Sequence, residues 1–480
     1  MSEAEERGRS GDLFGRGMIY VLVWSMQMVV ATVVSPILTR VLPQDQFGGL
    51  AAAIALYQLL ITVALFGLDS AVEMQRVEDA DPSRARGLVA AGMVLTFLVV
   101  GLCAITSPLW SPALGFPSTD ELVLVALLWT APGGAALLTL AMLQAEDRLA
   151  RFATVSLINT VGSQLLGIGL LLVVERTAVV YALGGVIGNT LALLLGIVWT
   201  RPRPGGLTDR ATIEAGLRLG VPLMLAGVAQ FVLSAGDRFV VQRVLGPEQV
   251  ARYQVAYTVG NVLSLMLAFT TRAWLPRLKS IVSSEERWRV IADSRDGVFW
   301  LVGWALIGIT VSAPVLLRVF APASYGPETL VAVVFVVGLA ALPVAASGAT
   351  SQVLVTTRRS RPIAIGAAVA AVVKMVATVA LIGRFGLVGA AAATTVAIAA
   401  QAWVQRLAVH RTLGFHRSSL TSLGFVALAC AVSAASLLVP QHGGWLVGRF
   451  AFSALCLLPF FLAMRGLQRG TGPLPFLSHP

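Results

Sequence analysis

The chain has 480 residues, of which 57% are hydrophobic and only 12% charged, and its formal net charge is +11. A typical soluble domain carries about 25% charged residues, and one water-soluble core could not bury this much apolar surface. The composition excludes a soluble enzyme, a disordered protein and a secreted disulfide-rich protein, and it leaves a polytopic membrane protein.

Apolar runs of roughly 20 residues, the length that crosses a bilayer core of about 30 Å, follow one another along the whole chain. They predict an all-α polytopic membrane protein with 14 transmembrane helices. The predicted spans are residues 18–38, 48–68, 87–107, 122–143, 153–174, 177–199, 217–236, 253–271, 297–317, 329–350, 362–382, 386–405, 420–439 and 445–464. The runs lack the strict alternation of a β-barrel.

Positive charge predicts the orientation of these helices. With the N-terminus inside, about 26 Lys and Arg residues fall on one side of the membrane and about 7 on the other. The even number of helices returns the C-terminus to the same side. The basic excess is therefore explained by topology, and we expect both termini in the cytoplasm and no nucleic-acid partner.

An internal repeat relates the two halves of the chain. The turn Arg40–Gln46 recurs as Arg243–Gln249, and the same offset aligns Gln27 with Gln230 and Gln58 with Asn261. Further along, at an offset of about 210, Pro132 approaches Pro343 and the loop with Arg148 and Arg151 approaches the loop with Arg358 and Arg361.

The repeat predicts two parallel six-helix lobes related by an axis along the membrane normal, with substrate near mid-depth between them. The predicted boundaries are 1–200 for the N-lobe, 201–216 for a cytoplasmic linker, 217–408 for the C-lobe, and 409–480 for helices 13 and 14 and a cytoplasmic tail. Two bundles that rock against each other are typical of a transporter.

Several short motifs are similar to those of one family. They are Leu38-Thr39-Arg40-Val41-Leu42 with Phe47-Gly48, Gly220-Val221-Pro222, Asp237-Arg238-Phe239, Leu245-Gly246-Pro247 with Tyr253, and Phe385-Gly386-Leu387-Val388-Gly389-Ala390-Ala391-Ala392. Together they resemble the multidrug/oligosaccharidyl-lipid/polysaccharide (MOP) exporter superfamily, and within it the Wzx-type oligosaccharide flippases. The resemblance covers essentially the whole chain.

The resemblance implies a V-shaped, MATE-like fold. It also implies that the protein is a transporter and not an enzyme. It implies that an undecaprenyl-diphosphate-linked oligosaccharide moves from the cytoplasmic to the outer leaflet of the bacterial plasma membrane, for cell-surface polysaccharide biosynthesis. The expected partners are this lipid-linked sugar and membrane lipids, with a polysaccharide polymerase and glycosyltransferases as candidate protein partners. No cofactor is expected, and a coupling ion, H⁺ or Na⁺, is left open.

Lys374 is the sharpest candidate site residue, because it lies near the middle of predicted helix 11. An ammonium at the bilayer centre costs about 2.5–3.5 kcal/mol on insertion scales, so it must face a wet cavity or a partner. A cation there could attract a diphosphate. The alternatives are a snorkelling residue and a structural partner for a nearby carbonyl.

Further candidates follow from the repeat and from helix ends. For substrate contact in the cavity, they are Gln27, Gln230, Gln58, Asn261 and Arg272. For a gate or ion coupling, they are Asp69, Asp237 and Arg238. Amides can hydrogen-bond sugar hydroxyls without the cost of a buried charge, but they also serve as links between helices. The alternative roles for the charged residues are boundary anchoring and interfacial ion pairs.

Three other functions compete with the oligosaccharide flippase. A cation-coupled multidrug exporter would need a carboxylate deep in the N-lobe, and predicted helix 1 has none. A lipid II flippase would be expected to carry more arginines in helices 1, 2, 7 and 8. A membrane-embedded glycosyltransferase or polysaccharide polymerase would need catalytic carboxylates and large outer loops, and here the longer outer loops carry no Asp/Glu/His cluster.

Overall fold

The computed structural model describes residues 26, 29–30, 32–79, 81–118, 120–267, 281, 283–409 and 418–469. Within these ranges every regular element is a helix. Among the described residues, ten continuous helical stretches are long and apolar enough to cross a membrane, and Thr32–Val41 and Leu420–Ser436 are shorter apolar helices. Two of the ten stretches, Leu149–Val173 and Pro327–Thr356, consist of consecutive shorter helices. The predicted all-helical, multi-pass architecture is confirmed at this level, and the number fourteen stays a prediction.

The described residues cluster into two compact units. The first contains residues up to 231 together with 246–248, and the second contains 232–245 and the chain from 249 onward. Helix α9 runs across this division. The helices that begin in the first unit are α1 Thr32–Val41, α2 Gln44–Ala64, α3 Leu68–Glu78, α4 Ser83–Trp110, α5 Glu121–Ala145, α6 Leu149–Leu157, α7 Ser163–Val173, α8 Ala178–Thr200 and α9 Arg210–Ala235.

The second unit continues with eight described helices. They are α10 Asp237–Leu245, α11 Pro247–Gly260, α12 Ser284–Phe320, α13 Pro327–Leu339, α14 Ala341–Thr356, α15 Arg361–Ala408, α16 Leu420–Ser436 and α17 Gly444–Arg469. Helix α12 packs against α13, α14, α16 and α17, so it is the central helix of this unit.

One predicted boundary was wrong and another was right, and in each case the backbone shows why. Predicted helix 2 (48–68) ends too late, because Phe66 and Gly67 adopt positive φ angles of 49° and 68° between α2 and α3. The predicted break between helices 11 and 12 is confirmed within α15, because Gly386 is non-helical at φ 54° and ψ −133° and separates two helical parts. That conformation suits glycine because it has no Cβ, so the chain turns there without a loop.

Close helix packing in the first unit depends on small residues, as is common in membranes where apolar side chains gain little by leaving lipid. Helices α7 and α8 approach at Gly167 and Gly184, where a Cβ on Gly184 would lie 2.2 Å from the Gly167 nitrogen. Gly188 likewise leaves room for Ser163, whose Oγ would lie 2.2 Å from an added Cβ. These contacts fix the distance between the two helices.

Two turns recur at the same interval along the chain. Gly115 and Gly326, both at positive φ, each close a short 3₁₀ turn through a hydrogen bond from their own N–H, at 3.2 and 3.0 Å. Asp147 and Arg358, also at positive φ, donate to the carbonyl three residues earlier at 3.0 Å. Both pairs are 211 residues apart, which agrees with the repeat in the sequence.

Candidate functional site: a buried ion pair in the second unit

The charged centre of the second unit is an ion pair between Lys374 of α15 and Asp237 at the start of α10. The Nζ atom of Lys374 lies 3.0 Å from Oδ2 of Asp237, and neither side chain has any exposed surface. Lys374 also donates to the carbonyl oxygen of Leu233 at 2.6 Å. The ammonium therefore has a partner within the protein and does not face lipid.

Hydroxyl groups complete the surroundings of the carboxylate. Tyr253 of α11 donates its phenolic O–H to Oδ2 of Asp237 at 2.7 Å, and the Thr394 hydroxyl donates to the same oxygen at 3.4 Å. Tyr253 is itself fully buried. One carboxylate oxygen thus joins α10, α11 and both parts of α15, which are separated by Gly386.

Arg238 holds the second carboxylate oxygen only loosely, because its Nη1 lies 3.9 Å from Oδ1 of Asp237. Its stronger contacts are a hydrogen bond from Nε to the Gln254 amide oxygen at 2.8 Å and a cation–π contact with Tyr257 at 5.0 Å. Among the described residues, Oδ1 of Asp237 accepts no hydrogen bond. The cluster thus carries two cations for one anion.

The local sequence explains why these groups meet. The chain passes from α9 to α10 at Gly236, so the Leu233 carbonyl and the Asp237 carboxylate lie on either side of a helix junction. The small neighbours Ala370 and Ala397 pack with Leu233, which lets α15 approach this junction. The long Lys374 side chain then spans the remaining distance.

The arrangement is suited to holding charge at low dielectric, where an unpaired ion is costly and a pair with good geometry is tolerated. An anion with similar oxygen acceptors could compete with Asp237 for the Lys374 ammonium. In the part of the chain that the structure describes, no group of three His, Cys, Asp or Glu residues could hold a metal ion.

None of the three described amides among the predicted cavity residues makes a hydrogen bond to the ion pair. Gln58 in α2 and Gln230 in α9 are exposed, and Asn261, directly after α11, is half-buried. In the described ranges their side-chain amides make no hydrogen bond within the protein, so they are available to a solute. Gln27 and Arg272 lie outside the described residues, and the roles predicted for all five residues stay predictions.

Asp69 lies in the first turn of α3, a short helix outside the candidate spans. Burial raises the pKa of its carboxyl above the ordinary value. Burial also raises the pKa of Glu73, with the Asp69 charge as a second cause. The structure therefore brings together Lys374, Asp237 and Arg238 and places Asp69 in the other unit.

Sequence reasoning missed a second buried polar cluster, centred on Asn189 of α8 in the first unit. With its amide oriented to satisfy its neighbours, Asn189 accepts from Tyr57 at 2.9 Å and Trp129 at 2.8 Å, and donates to Asn159 at 2.8 Å. The Tyr57 and Trp129 rings stack with centroids 4.4 Å apart. A π-helical turn at residues 158–162 presents Asn159 to this cluster. The sequence did contain a signal for this cluster, because Asn189 is a polar residue within the predicted membrane span 177–199.

Comparison with known proteins assigns the family. Residues 14–282 match the model of a family described as "Polysaccharide biosynthesis protein". The chain belongs to this family, and with it to the MOP superfamily. No curated protein sequence matches the chain.

Solved structures agree on the fold. A structure titled as the lipid II flippase MurJ in an inward closed conformation superimposes with a TM-score of 0.71 at 12% identity, covering 92% of this chain and 98% of that one. An inward-facing multidrug resistance MATE transporter of the MOP superfamily gives a TM-score of 0.56 at 15% identity, covering 84% and 95%. The Vibrio cholerae MATE transporter VcmN gives a TM-score of 0.51 at 14% identity, covering 82% of this chain and 95% of that one. This family member therefore has a MurJ/MATE-like fold.

Proposed function

We propose that the chain is a flippase that moves a lipid-diphosphate-linked oligosaccharide from the cytoplasmic to the outer leaflet of a bacterial plasma membrane. The observation that carries this proposal is the match of more than half of the chain to a polysaccharide biosynthesis family, on a fold shared with a lipid flippase. The mechanism we infer is alternating access between two six-helix lobes with the boundaries predicted from the sequence.

The buried pair gives the proposal a chemical basis. In the described state Asp237 and the Leu233 carbonyl accept from the Lys374 ammonium. Phosphate oxygens are acceptors of the same kind and charge, so a diphosphate can take the place of Asp237 in another state of the cycle. The free amides of Gln58, Gln230 and Asn261 are suited to sugar hydroxyls. Coupling to H⁺ or Na⁺ is part of the same hypothesis.

A multidrug exporter of the same superfamily is the second candidate, favoured by the fold likeness to MATE transporters. A cation-coupled exporter would need a carboxylate deep in the N-lobe, and predicted helix 1 has none. The excess of positive charge at Asp237, Lys374 and Arg238 is better matched to an anionic cargo. A lipid II flippase would also move a lipid-diphosphate-linked sugar, but it would be expected to carry more arginines in predicted helices 1, 2, 7 and 8.

Reconstitution tests the function directly. Proteoliposomes with purified protein are loaded with a fluorescent undecaprenyl-diphosphate oligosaccharide, and its transfer between leaflets is followed by protection from a membrane-impermeant sugar-modifying reagent. We expect transfer well above protein-free vesicles. Transfer of lipid II alone would move the assignment to peptidoglycan, and transport of a lipophilic cation without lipid transfer would overturn the proposal.

The role of the pair is tested with Lys374→Gln and with the double variant Asp237→Asn/Lys374→Gln. The double variant keeps hydrogen-bonding groups at both positions and removes one charge of each sign, and Arg238 keeps its contacts with Gln254 and Tyr257. Its folding is therefore the matched control. We expect both variants to lose at least about tenfold in transfer rate, equivalent to one strong charge-assisted contact. Wild-type transfer by the folded double variant would remove Lys374 from substrate binding while leaving the flippase assignment intact.

A further inference from the structure

A pocket of about 410 Å³ lies at one end of the first unit, where the segment before α9 packs against the start of α4. Its cationic walls are Arg84 and Arg203, and its apolar walls include Leu88, Pro204 and Ile213. The positive residues predict that this end faces the cytoplasm. The pocket therefore combines a cationic rim with an apolar wall close to the first residues of two candidate membrane spans, Ser83–Leu114 and Arg210–Ala235.

The pocket is preformed, because its two walls are held together by backbone contacts. The Arg203 N–H donates to the Arg86 carbonyl at 3.1 Å. Gly87 and Gly206 touch so closely that a Cβ on Gly206 would lie 2.1 Å from the Gly87 Cα atom. The segment that the sequence suggested as a linker is thus docked on the first unit.

The two arginines differ from neighbouring arginines in their partners. Arg76, Arg86 and Arg148 all share the carboxylate of Glu146, at 3.9, 3.5 and 2.8 Å. Within the described ranges, neither the Arg84 nor the Arg203 guanidinium has a hydrogen bond or an ion pair closer than 4 Å. Their donors are therefore available to a ligand in the pocket.

The nearby carboxylates are already engaged. Asp209, which also lines the pocket, accepts from the Thr212 hydroxyl at 2.6 Å and the Thr212 N–H at 3.2 Å. Asp81 accepts from the Ser83 hydroxyl at 2.6 Å. These hydrogen bonds hold the pKa of both carboxyls below the ordinary value. Neither carboxylate forms an ion pair within 4 Å with Arg84 or Arg203 among the described residues.

We propose that this pocket binds the phosphodiester headgroup of an anionic phospholipid of the cytoplasmic leaflet. A phosphodiester is an anion with free oxygen acceptors, and guanidinium groups bind phosphate oxygens in a bidentate manner. The apolar wall accommodates the carbon atoms next to the phosphate. A bound headgroup anchors the segment that leads into α9.

Native mass spectrometry of the full chain, with phosphatidylglycerol titrated against phosphatidylcholine, tests the proposal. The double variant Arg84→Gln/Arg203→Gln is compared with Arg210→Gln/Arg218→Gln, which removes two charges from α9 outside the pocket. We expect phosphatidylglycerol binding to fall about tenfold in the first variant and less than about twofold in the second, because surface attraction alone is weak.

Two results would overturn the proposal. Unchanged phosphatidylglycerol binding by Arg84→Gln/Arg203→Gln would show that the pocket is not the site, and equal losses in both double variants would reduce the effect to general charge attraction. A separate arm adds inorganic phosphate at millimolar concentration. Displacement of the lipid by phosphate would assign the pocket to free phosphate and overturn the lipid assignment, whereas retention supports it.

Discussion

The charge of Lys374 is balanced by groups from several helices. Its ammonium has two described acceptors, the Asp237 carboxylate and the Leu233 carbonyl, and Tyr253 orders the carboxylate in turn. All of these contacts are buried, so water cannot replace a lost partner. Removing one member of a buried pair leaves the other charge uncompensated, whereas removing both charges need not destabilise the fold.

A double-mutant cycle on the pair tests this balance. We expect Asp237→Asn and Lys374→Gln to lower the free energy of unfolding by about 3–5 kcal/mol each, and the double variant to recover most of that loss. Equilibrium unfolding in mixed detergent micelles measures these changes in the free energy of unfolding. Glu214→Gln, which breaks the exposed pair with Arg218, is the control and should cost less than about 1 kcal/mol. Additive losses in the double variant would contradict the coupling.

At the scale of helices, the first unit is organised around positions where large side chains fit only beside glycine. Trp129 of α5 packs on Gly185 of α8, where an added Cβ would lie 2.3 Å from the indole ring. Likewise, a Cβ added to Gly133 of α5 would lie 2.6 Å from the side-chain amide of Asn189. The Asn189 cluster thus requires both a polar side chain and small neighbours on the facing helix.

Gly185→Ala is therefore expected to destabilise the protein by about 1–3 kcal/mol, because the indole ring must move. Gly169→Ala is the matched control: Gly169 lies in α7 with no atom near an added Cβ, and alanine there should raise helix stability by up to about 1 kcal/mol. Thermal unfolding followed by tryptophan fluorescence compares the two. A Gly185→Ala variant at least as stable as wild type would contradict this account of the packing.

At the scale of the whole molecule, the backbone agrees with a duplicated chain. The turns at Asp147 and Arg358 repeat with the same backbone hydrogen bonds, and the fold is shared with solved MurJ and MATE structures. Exposed amides at Gln58 and Gln230 have no partner in the described ranges. If these amides line an alternating cavity, their contact with water must change during transport.

Cysteine accessibility tests this motion in a background without Cys103, Cys430 and Cys456. We expect Gln230→Cys and Gln58→Cys to react with a membrane-impermeant maleimide several-fold faster in one facing state than in the other, with the states selected by adding lipid-linked oligosaccharide. Glu175→Cys, in an exposed turn between α7 and α8, should react equally in both. Constant reactivity at both amide positions would argue against alternating access there.

The sequence by itself determined the broad features of this protein. Apolar runs of membrane-spanning length, charge asymmetry and the repeated turn at Arg40 and Arg243 predicted a helical, multi-pass, duplicated chain, because each run, loop and turn is a local pattern that does not depend on which helices pack together. The same reasoning identified Lys374 as needing a partner, since an intramembrane ammonium cannot stay unpaired.

Only the tertiary structure decided which groups satisfy that need. Asp237, Tyr253 and Thr394 meet Lys374 because α9, α10, α11 and α15 converge, and no spacing within one helix encodes that contact. The Asn189 cluster and the docking of Gly206 on Gly87 depend equally on contacts between distant segments. Local patterns fix where helices form, whereas the pairing of buried polar groups follows from how the helices pack.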